Sequence, residues 1–198
     1  AYNATKNAAA TSAVTLTAVA TTTVVPATFT VDWSAVTSTA GILEWNDGNT
    51  DTITTAFTIT GGYAADIING SAGADIISGG YGLNVMAGNT GNDSITGGAL
   101  GDDINGNAGA DTLVGGGGPD TLVSGAGNDS ISGGDAADII TGGAGKDTIT
   151  TGAGNDTVIY TAITESAGST ADVITDFTSA ADNIRVTHTL TKVSFVLT

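Results

Sequence analysis

The sequence predicts an all-β fold, a quasi-linear repeat solenoid closed at each end by a β cap. Three observations predict it. From Gly61 to Ile159 the chain divides, without insertion, into eleven nonapeptides: GGYAADIIN, GSAGADIIS, GGYGLNVMA, GNTGNDSIT, GGALGDDIN, GNAGADTLV, GGGGPDTLV, SGAGNDSIS, GGDAADIIT, GGAGKDTIT and TGAGNDTVI. Ten of the eleven carry Asp at the sixth place, and all carry Ile, Leu, Val or Met at the eighth. Finally, 27 of the 30 glycines lie inside this stretch at fixed phases, so they specify turns instead of marking a low-complexity linker.

The segments flanking the array read as strands. Residues 1–23 are mostly Ala, Thr and Val, with Val14 and Leu16 alternating, which predicts an edge strand or linker. Residues 24–60 predict an N-terminal β cap. After Pro26, Phe29, Val31 and Trp33 share one face; GILEW (41–45) gives a second strand, ended by the turn-forming Asn46, Asp47, Gly48 and Asn49. A third strand, from Thr52 to Thr60, places Ile59 nine residues before Ile68, in phase with the repeat. A cap is expected because an open solenoid end exposes apolar side chains and unpaired backbone.

Within each nonapeptide the pattern reads as a six-residue turn and a three-residue strand. Glycines at places one, two and four permit positive φ, and the Asx residue at place six ends the turn. The aliphatic residue at place eight points inward while its neighbours point out. The consensus G-G-x-G-x-D-x-U-x, with U aliphatic, resembles the RTX (repeats in toxin) calcium-binding family over half of the chain. That resemblance implies a right-handed parallel β-roll or β-helix solenoid in which two successive repeats make one 18-residue coil. Residues 160–198, with Asp172-Val-Ile-Thr-Asp-Phe177 and Asp182-Asn-Ile-Arg-Val186, resemble the closing segment of such arrays. In that family the segment caps the roll and precedes a tail read by a type I secretion machinery. Arg185 departs from the acidic residue expected there.

Composition narrows the partners. Twenty acidic residues against four basic ones give a formal charge of −16, which disfavours nucleic acid and anionic membrane surfaces. Cysteine is absent, so no disulfide framework exists, and no 18-residue apolar stretch predicts a transmembrane segment. No charged-then-apolar leader opens the sequence, and Ala1 is compatible with a processing boundary.

Stacked coils place equivalent aspartates about 4.8 Å apart. At that spacing two carboxylates repel by about 1 kcal/mol in water and by several times that near a protein surface, and a divalent cation between them reverses the sign. Carboxylate and carbonyl oxygens in flexible loops suit calcium better than rigidly octahedral magnesium, and a chain with one histidine and no cysteine is poorly equipped for zinc.

Two ladders result, on alternate repeats. The first is Asp66, Asn84, Asp102, Asp120, Asp138 and Asp156; the second is Asp75, Asp93, Asp111, Asp129 and Asp147. Turn carbonyls of Gly70, Gly79, Gly88, Gly106, Gly109, Gly115, Gly118, Gly127, Gly142 and Gly145 complete the expected metal-ligand set. One ion between each pair of vertical neighbours sets a ceiling of nine calcium ions. Asn84 removes a shared charge and Leu100 replaces a turn glycine, so weak binding is expected from Asp66 to Asp102.

The leading functional expectation is a secreted, extracellular structural protein that folds and self-associates on binding calcium, similar to RTX-containing surface-layer (S-layer) proteins. Its non-repeat parts are rich in Ala and Thr and nearly free of Lys, as in proteins made in bulk for a surface lattice. The alternative is the C-terminal export and folding module of a secreted protease, lipase or toxin. No enzymatic activity is expected of this chain: it contains neither H-E-x-x-H nor G-x-S-x-G, and its single histidine, His188, falls in an expected cap strand. Ice binding or adhesion is a third reading. The variable third and fifth places of the repeats count against it.

Overall fold

A computed structural model describes residues 14–17, 29–32, 43–46, 56–162, 171–187 and 196–197. Trp33, His188 and most of the linker expected over residues 1–23 lie outside the described residues. The described elements are eighteen strands and no helix. No helix among the described residues is long and apolar enough to cross a membrane.

The strands are β1 (Val14–Thr17), β2 (Phe29–Asp32), β3 (Leu43–Asn46), β4 (Phe57–Thr60), β5 (Ile67–Asn69), β6 (Ile76–Gly80), β7 (Val85–Thr90), β8 (Ser94–Gly98) and β9 (Asp103–Ala108). They continue as β10 (Thr112–Gly117), β11 (Thr121–Ala126), β12 (Ser130–Asp135), β13 (Ile139–Ala144), β14 (Thr148–Ala153), β15 (Thr157–Tyr160), β16 (Val173–Ile174), β17 (Asn183–Val186) and β18 (Val196–Leu197). Odd-numbered strands form one nine-stranded parallel sheet in the order β1 to β17, and even-numbered strands form a second in the order β18 to β2. The chain therefore changes sheet after every strand, and each coil rests on the previous one with a register of 18 residues, as in Leu113↔Ile131 and Leu122↔Ile140. This is a parallel β-roll.

The sequence period explains the register. One inward aliphatic per nine residues gives each sheet one apolar rung per coil, and a slip by one residue would turn that rung to solvent. Ile59, Ile68, Ile77, Met86, Ile95, Ile104, Leu113, Leu122, Ile131, Ile140, Ile149, Val158 and Ile174 form the resulting column, with Phe57 near one end and Tyr160 near the other. Phe177 and Ile184 pack against it.

The strands are longer than the three residues expected. In the middle of the roll they run six residues, from place seven of one nonapeptide through place three of the next. Backbone pairing thus continues through most of the glycine-rich segment, for example Gly116↔Gly134 and Gly117↔Asp135. Backbone beside the arrays continues both sheets: β2 pairs with β4, β3 with β5, β14 with β16 and β15 with β17.

Candidate metal centre

The residues at place six sit where the chain crosses from one sheet to the other, so odd and even repeats deliver them to opposite edges of the roll. All of them are buried, from Asp156 at 0% exposed to Asp102 at 4%. In the middle of each ladder three hydrogen bonds recur from coil to coil: the amide donates to Oδ1 of the next coil, Oδ1 accepts from the amide of the preceding coil, and the backbone carbonyl accepts an amide of the next coil. In the second ladder, Asp93 N–H donates to Asp111 Oδ1 at 2.8 Å, Asp111 N–H to Asp129 Oδ1 at 2.8 Å, and Asp129 N–H to Asp147 Oδ1 at 2.9 Å. In the first, Asp102 N–H reaches Asp120 Oδ1 at 2.7 Å, Asp120 N–H reaches Asp138 Oδ1 at 2.8 Å and Asp138 N–H reaches Asp156 Oδ1 at 2.9 Å. The aspartate carbonyls accept the amide that opens the next strand of the same sheet, as in Thr112 N–H to Asp93 O at 2.8 Å.

That arrangement consumes Oδ1 and leaves Oδ2. The Oδ2 atoms of Asp93, Asp102, Asp111, Asp120, Asp129, Asp138 and Asp156 are buried and accept no hydrogen bond. A buried carboxylate oxygen without a donor is costly, and seven in two files require a positive charge or a proton. Burial pushes the Asp93 and Asp120 carboxyls up to about 7, against the pull of the backbone amide each accepts, with neighbouring carboxylates adding to the rise. Asp138 is raised to about 6 by burial, and Asp102, Asp111 and Asp156 are raised by the same cause.

The glycines at place one show where a cation would fit. A Cβ on Gly106 would lie 2.5 Å from Asp111 Oδ2 and 2.6 Å from the Ser124 carbonyl; on Gly115 it would lie 2.2 Å from Asp120 Oδ2 and 2.5 Å from the Gly133 carbonyl. Gly70, Gly88, Gly97 and Gly133 repeat this pairing of own-repeat carboxylate and next-coil carbonyl. These glycines are needed for space, which corrects the expectation of positive φ at place one. Positive φ belongs to place two, in Gly80, Asn89, Gly98, Asn107, Gly116, Gly125, Gly134, Gly143 and Gly152, and to most fourth places. Asn at places 89 and 107 fits, because asparagine tolerates the left-handed region. The oxygen-only donor set, spread over carboxylate and carbonyl, fits calcium. Among the described residues no three His, Cys, Asp or Glu side chains converge, so any ion must be held by few carboxylates and by backbone oxygen.

The expected carbonyl ligands divide. Those of Gly79, Gly88, Gly106 and Gly115 face the place-one cradle of the preceding coil, and so do those of Gly97 and Gly133, which sequence reasoning did not select. Gly109 and Gly127 carbonyls instead face the fourth-place glycine of the next coil on their edge. The Gly142 carbonyl accepts Ser124 Oγ–H at 2.5 Å, and the Gly70 carbonyl accepts Asn89 Nδ2–H at 2.9 Å. Gly118 is a positive-φ residue and Gly145 another.

Three turns are closed by the protein itself. Gly62 N–H donates to Asp66 Oδ2 at 2.8 Å, Ser71 N–H to Asp75 Oδ2 at 2.6 Å, and Thr178 N–H to Asp182 Oδ2 at 2.7 Å, each from four residues upstream. At Asn84 the first ladder differs again: Nδ2 donates to Gly82 O at 2.9 Å and to Asp102 Oδ1 at 3.0 Å. A Cβ on Gly79 would meet that nitrogen at 2.4 Å, where the neighbouring coils present Oδ2.

Both ladders extend beyond the nonapeptides. Asp147 N–H donates to Asp172 Oδ1 at 2.9 Å, and Asp156 N–H to Asp182 Oδ1 at 3.3 Å. Sequence reasoning placed these two aspartates in the closing segment without assigning them to the ladders. The available signal was the triplet Asp-x-aliphatic, in Asp172-Val-Ile and Asp182-Asn-Ile, which repeats places six to eight after longer, glycine-poor connections. Asp176, one coil beyond Thr151, accepts from Thr151 N at 2.8 Å, Thr151 Oγ1 at 3.0 Å and Gly152 N at 2.9 Å. Arg185, in β17, is paired with Ile159 and exposed.

The family profile of the RTX calcium-binding nonapeptide repeat matches four times, over residues 60–95, 78–113, 96–131 and 123–158, together half of the chain. No curated protein and no solved structure matches the chain at a significant level.

Proposed function

This chain belongs to the RTX calcium-binding nonapeptide repeat family, and from that premise we propose that it is a secreted structural protein whose roll folds and self-associates into a surface lattice when it meets calcium. The repeats themselves are a structural calcium-binding fold and not a catalytic one. One observation carries the reading: a file of buried Oδ2 atoms along each edge, which a cation satisfies and water does not reach. Extracellular calcium modules bind in the range of about 0.1 to 1 mM, so the same chain stays extended where calcium is scarce and orders where it is plentiful.

In this proposal the ligands are the carboxylates of Asp93, Asp102, Asp111, Asp120, Asp129, Asp138, Asp147 and Asp156 with place-one carbonyls. Asp66 and Asp75 bind more weakly, because donors of their own turns already occupy Oδ2. Residues 24–60 and 160–198 act as caps, and the latter carries the region read by the export machinery. The lattice reading draws on the Ala- and Thr-rich, nearly Lys-free flanks. A second reading, the export and folding module of a secreted enzyme or toxin, draws on the closing segment, whose Asp172 and Asp182 continue the two ladders past the nonapeptides. Electron microscopy of the purified chain with and without calcium separates the two: calcium-dependent sheets or filaments support the lattice, and dispersed folded particles support the module.

A further inference from the structure

The exposed large hydrophobic residues are not scattered. Of the nine among the described residues, six lie on the first three coils at the edge of the first ladder: Tyr63, Ile67, Tyr81, Leu83, Val85 and Leu100. Tyr63 and Tyr81, at place three of alternate repeats, stack with ring centroids 4.3 Å apart and planes 8° from parallel. Ile67 and Val85 are partners on neighbouring strands β5 and β7, so their outward side chains are adjacent. Leu83 lies two residues before Val85, and Leu100 takes the fourth place one coil further on.

Charge is missing from the same region. Between Gly61 and Gly101 the only ionisable acids or bases of the Asp, Glu, Lys or Arg type are Asp66, Asp75 and Asp93, all buried to 2% exposure or less. Charge flanks it on both sides: exposed Asp103 is paired with Val85, and Glu44 of β3 is in register with Ile67. In a chain of net charge −16 this is a short apolar stretch of the rod, between Glu44 and Asp103, with no exposed charge of its own. Asn84 at its centre adds to the neutrality, since its turn is closed by an amide in place of a cation.

We propose that this face is the contact between two copies of the chain, joined about a twofold axis close to Tyr81. Apolar burial drives the contact, and its neutrality lets two acidic molecules approach. Six side chains of this size at these exposures present on the order of 500 Å², the upper end of what a monomer leaves uncovered. An isologous pair then buries about 1,000 Å², the lower bound for a specific interface. The proposal rests on the self-association proposed above and assigns it a face.

The test is sedimentation velocity of the full calcium-loaded chain from 1 to about 200 µM, with electron microscopy of the same samples. Wild type is expected to dimerise or assemble further. Leu83→Asp is expected to raise the dimer dissociation constant at least tenfold, with circular dichroism unchanged. Tyr81→Ser gives a milder second variant, and Ile76→Asp, on the opposite sheet, leaves association at the wild-type level. If wild type and Leu83→Asp assemble equally, the face is wrong while the self-associating function stands. A dimer without a lattice keeps the face and removes the lattice. Wild type that is folded yet monomeric throughout overturns the face as a self-contact and the self-associating function with it.

Discussion

Asn84 Nδ2 donates to Asp102 Oδ1 at 3.0 Å, across one coil of the roll. At Asp93, Asp102, Asp111, Asp120, Asp129, Asp138 and Asp156 the ladder side chain is instead a carboxylate whose buried Oδ2 has to find a cation or a proton. Here an amide hydrogen takes that part, and the first ladder acquires a coil joined without metal.

Replacing this amide separates the two modes of closure. Asn84→Asp is expected to add one calcium ion to the bound total and to raise the calcium midpoint stability, because the restored carboxylate faces Asp102 across a coil. Without calcium the same variant is less stable than wild type, since it exchanges a donor for a like charge. Native mass spectrometry counts the ions, and thermal melting with and without chelator gives the two signs. An unchanged ion count contradicts the assignment.

Place-one and place-three glycines are expected to differ sharply. Gly115→Ala puts a methyl 2.2 Å from Asp120 Oδ2 and 2.5 Å from the Gly133 carbonyl, so the turn must open. The cost is about 1–3 kcal/mol, as for other overpacked sites, together with loss of calcium from that coil. Gly117→Ala meets nothing closer than 3.3 Å and has no positive φ, and the equivalent places of the two neighbouring coils on this edge already hold side chains, Ala99 and Asp135. Denaturant melts in calcium should shift the midpoint for the first variant and leave that of the second in place.

Acid is expected to substitute in part for calcium. The Asp93 and Asp120 carboxyls lie near 7 and Asp138 near 6 in the metal-free roll, all above the ordinary value of 3.8. Because the folded-state values are raised, the roll takes up protons on folding. Its stability is therefore fullest below pH about 4 and is lost as pH rises through 6 to 7. In chelator, lowering the pH from 8 to 5 should increase the strand signal. In calcium the dependence reverses, since protons compete for the same oxygens and binding weakens below about pH 6 to 7. A chelated sample whose strand signal is flat from pH 8 to 5 contradicts this balance.

Much of this architecture was legible because its period is rigid. Ile59 in phase with Ile68, one aliphatic per nine residues and Asp at place six give one inward rung and one acidic turn per repeat, and the resemblance to the RTX repeat implies that two such repeats make one coil of two parallel sheets. What escaped was set by atoms that a linear pattern does not rank. Whether a glycine is needed for φ, for room or for both depends on the coil alongside: Gly106 is constrained by Asp111 of its own repeat and by Ser124 eighteen residues further on, whereas Gly116 combines a positive φ with the closely approaching Gly98 carbonyl. The closing aspartates were hidden for another reason. Asp172 and Asp182 follow their predecessors by 25 and 26 residues instead of 18, so the period breaks although the ladder continues. The donors on Gly62 and Ser71 that close the first turns are backbone groups, with no side-chain signature beyond the Ser71 hydroxyl, which itself reaches Asp75 Oδ1 at 3.1 Å.

In this mechanism calcium on the buried carboxylate files holds the roll together. Far-ultraviolet circular dichroism of the full chain at pH 7.5, first in chelator and then titrated with calcium or with magnesium, tests it most directly. The expected result is little strand signal in chelator, a cooperative gain at about 0.1 to 1 mM free calcium, and a much weaker response to magnesium. A strand signal of full amplitude in chelator, unmoved by added calcium, would contradict it.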